Sequence, residues 1–502
     1  MSSDLWVSLA AILPLIVLSI WACILLLVDL VIPTERKGWT ALLAALGLLV
    51  ALGLVITRFG CVGANSGPTN PEDSVPSTCY ASAFGGMIVV DGFANFFNIL
   101  LLVSGLAGVC LAYDYLKRTE IERGEYYVLL LFAIVGMMLM GMASDLIVVF
   151  LALEMLSIPL YVLAGIAVPR LNSEEAALKY FLLGAFSSGF FLYGIALLYG
   201  ATGATALKTI AEVVEAGRFN LSLLLSGAAL IVVGLGFKIA LVPFHMWTPD
   251  VYQGAPSAVT AFMAVGAKAA GFAALLRIFF LAFPTFSARL TPVLWVLAAL
   301  TMMVGNLVAI SQKNIKRLLA YSSIAHAGFI LMALVPFGQA GVYATSVASA
   351  LFYLVAYALT NFAAWAVVIA LEKAGEIGLE LDDYAGLGRK YPGLAAVMAV
   401  AMLSFTGVPP TLGFLGKFYL FRTVLEGGFV GLALIGVLAS LISAYYYLRV
   451  VVIMYMREGE PVASQDPWLR LVAYGAAIGV VALSIFSAPL LSLASRAILM
   501  LF

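Results

Sequence analysis

Charge is what this chain has least of. Only 10% of its 502 residues are Asp, Glu, Lys or Arg, against about 25% in soluble domains, and 26 basic residues balance 26 acidic ones. A neutral chain offers no electrostatic footprint for nucleic acid or an acidic partner. Histidine occurs twice and cysteine four times. There is no CxxC pair, no GxxxxGK[ST] loop and no GxGxxG fingerprint after a strand, so ligands for nucleotide, flavin and iron–sulfur groups are missing. His245 falls at the end of one apolar segment and His326 inside another, which argues against a haem held by both. No cofactor and no metal are expected in this chain.

What fills the chain instead is hydrocarbon, with 64% of residues hydrophobic. At about 20 apolar residues per crossing the length divides into roughly fourteen helices. The sequence therefore predicts an all-α, polytopic membrane protein; a β-barrel would alternate over strands of about ten residues. Helices are expected near 6–30, 39–57, 91–113, 126–142, 146–168, 174–200, 222–243, 256–282, 290–311, 318–336, 342–371, 392–421, 427–456 and 468–500. The first lacks the basic flank and short core of a cleaved signal and reads as a retained helix. If the chain starts outside, Arg36, Lys37, Lys117, Arg118, Arg123, Arg170, Lys313, Lys316, Arg317, Lys373, Arg389, Lys390, Arg457 and Arg470 lie on one side. Arg58, Lys208, Arg218, Arg289, Arg422 and Arg496 lie on the other. The positive-inside rule then puts both termini outside the cytoplasm, in a cell membrane of bacterial type.

Two polar interruptions stand out. Residues 59–80 form a Gly/Pro/Ser/Asn-rich outer loop holding Cys61 and Cys79, which are either a disulfide or two free thiols. Cys23 and Cys110 lie in apolar helices and read as packing residues. Residues 371–393 are charged and read as an amphipathic connector along the membrane face.

Against this background the buried ionisable groups carry the information. A charge at the bilayer centre costs at least about 2.5–3.5 kcal/mol on insertion scales, so a membrane protein that keeps several uses them. Lys238, Lys268 and Lys417 each sit inside apolar sequence, as does Glu154, which follows Asp145 along one helix. Lys179 lies near a helix end, where snorkelling to the interface explains it equally well. Lys238 is followed by Pro243, and Lys417 is preceded by Gly407, Pro409, Pro410 and Gly413. Proline frees backbone groups that lipid cannot satisfy, so broken helices tend to line hydrated sites. Helices 7 and 12 are therefore expected to be discontinuous. Being five helices apart, they suggest a unit at 126–283 repeated in inverted orientation at 284–457, flanked by 1–125 and 458–502. Glu154 beside Lys238 would form a switchable pair. Lys268 comes next, His326 bridges the halves with Tyr321, Ser322 and Ser323 ordering water, and Lys417 ends the row.

The segment FKIALVPFHMWTPDVYQGAPSAVTAFMAVGAKAAGFAALLR at 237–277, with LALEMLSIPLYVL before it and KRLLAYSSIAHAGF after it, resembles the proton-conducting antiporter-like subunits of respiratory complex I. These are related to Mrp-type sodium/proton antiporter subunits. LSFTGVPPTLGFLGKFYLF at 403–421 looks most like the N-type branch. The M-type is expected to carry glutamate in place of Lys417, and the L-type to be longer. The resemblance implies fourteen helices with inverted five-helix repeats and proton translocation through Glu154, Lys238, Lys268, His326 and Lys417. It also implies neighbouring antiporter-like and other membrane subunits as partners, with NADH, FMN, iron–sulfur clusters and quinone held by those partners. A cation/proton antiporter subunit or a membrane-bound hydrogenase subunit is the nearest alternative, and a non-conducting membrane scaffold the more distant one.

Overall fold

The computed structural model describes residues 2–33, 36–59, 81–339, 341–375 and 377–497. Cys61 and Cys79 lie outside the described residues. Twenty α-helices run in the order α1 Ser2–Ala11, α2 Leu13–Val31, α3 Gly38–Phe59, α4 Gly92–Arg118, α5 Glu125–Met142, α6 Leu146–Ala164 and α7 Leu171–Thr202. Then come α8 Leu207–Glu215, α9 Leu221–Ile239, α10 Trp247–Gly254, α11 Ser257–Ala282, α12 Ser287–Ala309, α13 Ile315–Met332 and α14 Tyr343–Leu371. The last are α15 Leu387–Lys390, α16 Pro392–Thr406, α17 Leu412–Glu426, α18 Val430–Met456, α19 Pro467–Ile485 and α20 Ser487–Arg496. Twelve helices among the described residues are long and apolar enough to cross a membrane. The chain is a multi-pass membrane protein.

Every predicted block contains helix, but three are split. The first divides after Ala11, where Pro14 sits in the first turn of α2. The block at 392–421 separates into α16 and α17, and that at 468–500 divides after Ile485. Two short helices, α8 and α10, were not expected. In the 371–393 connector, isolated bridges pair Lys373 with Ile377 and Asn314 with Glu380, followed by a 3-10 turn at Leu381–Tyr384 and the short α15. Cys23 is exposed rather than packed, and Cys110 is half-buried.

All of α11 is buried, and it packs against α4, α5, α9 and α14 at the centre of the bundle. Such helices have no hydrophobic drive to associate in lipid, so close packing substitutes for it. At Gly136 of α5 a Cβ would lie 2.4 Å from the backbone nitrogen of Leu156. That approach fixes α6 one residue from Ser157.

The loops gather on two opposite faces. On one, Arg170 donates to the Thr119 carbonyl, Arg118 to the Glu372 carbonyl, and Ser464 to Asp114 at 3.0 Å. On the other, Asp145 accepts from Thr205 at 2.7 Å and Thr291 donates to the Val335 carbonyl at 2.9 Å. The basic loops predicted to share a side do meet. Nearer the second face lies a fully buried fork in which Arg277 donates to both oxygens of Asp91 at 2.9 and 3.0 Å and to the Gly141 carbonyl.

Candidate functional site

Two broken helices organise the interior. The first, α9, stops at Ala240, whose φ of +62° lies in the left-handed region and ends the helix immediately after Lys238. The chain then turns through Pro243 into α10. Freed backbone groups find partners: Trp247 Nε1 donates to the Phe237 carbonyl at 3.0 Å, and Val242 N–H donates to Thr301 Oγ1 at 3.0 Å. The second break separates α16 from α17 at Gly407, where φ is +88°, followed by Pro409 and Pro410. This is the satisfaction of broken backbone that a membrane interior demands.

Lysines occupy both breaks. Lys238 Nζ donates to Ser157 Oγ at 2.8 Å and Tyr180 OH at 3.3 Å. Tyr180 itself stacks on Trp247, centroids 4.5 Å apart. Lys268, on α11, donates to the carbonyls of Ile239 at 3.2 Å and Ser323 at 2.5 Å. Lys417 donates to the carbonyls of Phe405 at 2.9 Å and Thr406 at 3.0 Å and to Ser440 Oγ at 3.1 Å, and lies 4.6 Å from the centre of the Phe329 ring. The carbonyls of Ile239 and Thr406 end their helices, where the dipole favours a cation.

His326 joins these sites. Its Nδ1 is 2.6 Å from Tyr353 OH and its Nε2 3.1 Å from Tyr447 OH. Tyr447 also bonds Ser322 Oγ, and Tyr357 OH donates to Ser323 Oγ at 2.9 Å. The Phe405 ring, whose carbonyl holds Lys417, packs on His326 with centroids 4.9 Å apart. Lys268, Ser323 and His326 thus form a polar seam through apolar surroundings, and Phe405, by its ring to His326 and its carbonyl to Lys417, joins that seam to the second break.

Several sequence expectations need correction. Glu154 and Lys238 form no direct ion pair: Glu154 accepts from Ser188 at 2.5 Å, and Ser157, one turn along α6, intervenes as the partner of Lys238. Glu154 is half-buried toward α7 rather than enclosed. Asp145 caps α6, accepting from Ile147 N–H at 2.8 Å. Lys179 lies outside the seam, its side chain 39% exposed and paired with Asp250 and Glu175, each at 2.7 Å. Burial would raise the Asp250 carboxyl, but hydrogen bonds from Lys179 and Arg317 hold it below the usual range. His245 sits half-buried in the turn after Pro243, and Tyr321 is half-buried against the core, one residue outside the Ser322–Ser323 contacts.

Sequence reading missed Ser157, Tyr180, Tyr353, Tyr447 and Ser440. A signal existed for some: Ser157 follows Glu154 at i+3, and Tyr353 and Tyr357 stand at i, i+4 in ALFYLVAYAL, so each pair shares a helix face. The Asp91–Arg277 fork was missed as well.

Residues 143–443, which span both breaks and every group in the seam, match the model of the NADH:quinone oxidoreductase/Mrp antiporter transmembrane family. The chain belongs to that family. It is 47% identical to NADH-quinone oxidoreductase subunit N of Chloroflexus aggregans, covering 99% of this chain and 98% of that one. With the subunit N of Trichlorobacter lovleyi it shares 46% identity over 93% of this chain and 91% of that one. Among solved structures, a chain of respiratory complex I from Thermus thermophilus with bound aureothin superposes with a TM-score of 0.79 and 37% identity, covering 96% of this chain and 99% of that one. The family-model match stops within α18 and leaves α1–α5 outside it. The full-length relatives extend the likeness over those helices.

Proposed function

We propose that this chain is the N-type proton-translocating membrane subunit of an NADH:quinone oxidoreductase, passing protons along Glu154, Lys238, Lys268, His326 and Lys417. The observation that carries the reading is Lys268. It grips the last carbonyl of the α9 helix and the Ser323 carbonyl one turn from His326, so that one amine touches both the first break and the bridge to the second.

The geometry suits a relay. A hydroxyl accepts from an ammonium and can donate to an amine, so Ser157 and Tyr180 keep Lys238 partnered in either state. Glu154, one turn from Ser157, biases that state as its charge is compensated or released. His326, bonded on both ring nitrogens, takes a proton on one side and gives it from the other. Lys417 receives it at the second break.

The two breaks, five predicted helices apart, support an inverted repeat of 126–283 and 284–457. The shared face of the basic loops supports a cytoplasmic assignment for that face, with both termini outside. NADH, FMN, iron–sulfur clusters and quinone belong to partner subunits in this reading, and energy arrives through neighbouring membrane subunits. The test is proton uptake by membrane vesicles carrying the complex with Lys268→Ala, with electron transfer measured in parallel. Loss of uptake with the complex assembled supports the relay; undiminished uptake per electron removes its centre.

A further inference from the structure

Among the buried polar atoms without a hydrogen-bond partner among the described residues are Ser257 Oγ at the start of α11, Asn361 Nδ2 on α14, Glu372 Oε2 at the end of α14, and Tyr384 OH. Buried polar atoms are almost always paired, with protein or with ordered water. Glu372, at the end of α14, is 1% exposed. Its other oxygen, Oε1, accepts from Tyr115 OH at 2.9 Å, and Tyr115 accepts from Ser257 N–H at 3.0 Å. Arg118 donates to the Glu372 backbone carbonyl and not to the carboxylate. Burial, with the Glu372 charge second, holds the Tyr384 hydroxyl well above the usual phenol range, so it remains a donor.

Both helices lead from this cluster to the middle of the bundle. Ser257 and Lys268 stand eleven residues apart on α11, and Asn361 and Glu372 eleven residues apart on α14. Eleven residues make about three turns, so each pair shares a helix face and spans about 16 Å. Between Ser257 and Lys268 that face carries only the short side chains of Ala261 and Ala264. At the inner end, Asn361 stands one turn from Tyr357, which bonds Ser323, whose carbonyl holds Lys268.

We propose that Glu372 collects protons for the relay, in an inlet that runs down the α11–α14 seam past Tyr115, Ser257 and Asn361 to Lys268. The inference rests on the relay reading above. Hydronium from the basic-loop face gives its proton to the Glu372 carboxylate and leaves water. The acid then passes that proton through ordered water to the neutral Lys268 amine, giving an ammonium and restoring the carboxylate.

The complex is assembled with Glu372→Gln, Glu372→Asp, Tyr115→Phe or Lys417→Ala, and proton uptake per electron is followed while the pH on the basic-loop face is varied. Glu372→Gln is expected to lose most of its uptake near neutral pH and to regain it as that face is acidified, whereas Glu372→Asp retains it. Tyr115→Phe, which keeps the ring but removes the donor to Oε1, should show a smaller loss of the same pH form and serves if Glu372→Gln does not assemble. Uptake abolished by Lys417→Ala but untouched in Glu372→Gln and Tyr115→Phe overturns the inlet and leaves the relay standing. Uptake intact in Lys417→Ala removes both. A pH-independent loss shared by Glu372→Gln and Glu372→Asp makes the cluster a structural fastening and also overturns the inlet.

Discussion

The two helix breaks meet the same demand with opposite parts. At the first, the freed Ile239 carbonyl is taken by Lys268 from another helix, while Lys238, on the broken helix itself, turns to two hydroxyls. At the second, Lys417 takes the freed carbonyls of its own break, Phe405 and Thr406, and adds one hydroxyl. Carbonyls only accept, so Lys417 keeps those partners only by donating; hydroxyls reverse roles. Glu154 stands one turn from the first site, and no ion pair holds Lys417 among the described residues. On the proposed mechanism the first break is built to exchange a proton and the second to hold one until release.

Removing either lysine should produce the largest effect and erase the difference between the breaks. Lys238→Ala and Lys417→Ala are each expected to abolish proton uptake by the assembled complex while electron transfer persists at a reduced rate. Unchanged uptake in both would leave the buried charges as fixed structure. Glu154→Gln tests the asymmetry: it keeps an acceptor for Ser188 but removes the charge, and uptake should fall about 100-fold, the low end for loss of a positioned proton-transfer group. If Glu154→Gln pumps normally, Ser157 and Tyr180 alone suffice at the first site. Assembly, checked by isolating the intact complex, is expected to survive because Glu154 holds no ion pair.

Glu154, Lys238, Lys268 and Lys417 could be read in the sequence because an ionisable group in hydrocarbon is expensive wherever it ends up facing. His326 stood out for the same reason, and the breaks were visible because Pro243, Pro409 and Pro410 punctuate otherwise unbroken apolar runs. Their partners were harder to see. Serine and tyrosine occur throughout membrane helices as packing groups, and what Ser157 or Tyr447 touches depends on how α6 meets α9 and how α18 meets α13, which local sequence does not encode. The supposed Glu154–Lys238 pair failed for that reason: the two groups bond different serines, Glu154 to Ser188 and Lys238 to Ser157. The short helices α8 and α10 were hidden by their length, and Ala240 by the rarity of a left-handed alanine.

A finer pair of substitutions separates the breaks by their hydroxyls. Ser157→Ala removes one of the two acceptors of Lys238 and should cost about 1.5–3 kcal/mol at that site, as for a hydrogen bond to a charged group. Uptake should fall several-fold. Ser440→Ala leaves Lys417 with both carbonyls, so the same measurement should show a smaller loss. Equal losses would mean that the carbonyls of the second break do not hold Lys417.

The smallest effect is expected where the sequence left two explanations open. Lys179 reaches the surface and shares Asp250 with Arg317, which donates to the other carboxylate oxygen at 2.8 Å. Lys179→Ala therefore removes two exposed ion pairs, each worth about 0–1 kcal/mol, and leaves Asp250 with a partner. Uptake should stay within about twofold of the unmodified complex, a shift of about 0.4 kcal/mol or less. A loss as deep as that of Lys238→Ala would instead bring the Lys179–Asp250–Arg317 group into the pathway. It would move the start of the first half from the hydroxyls around Lys238 to the membrane face.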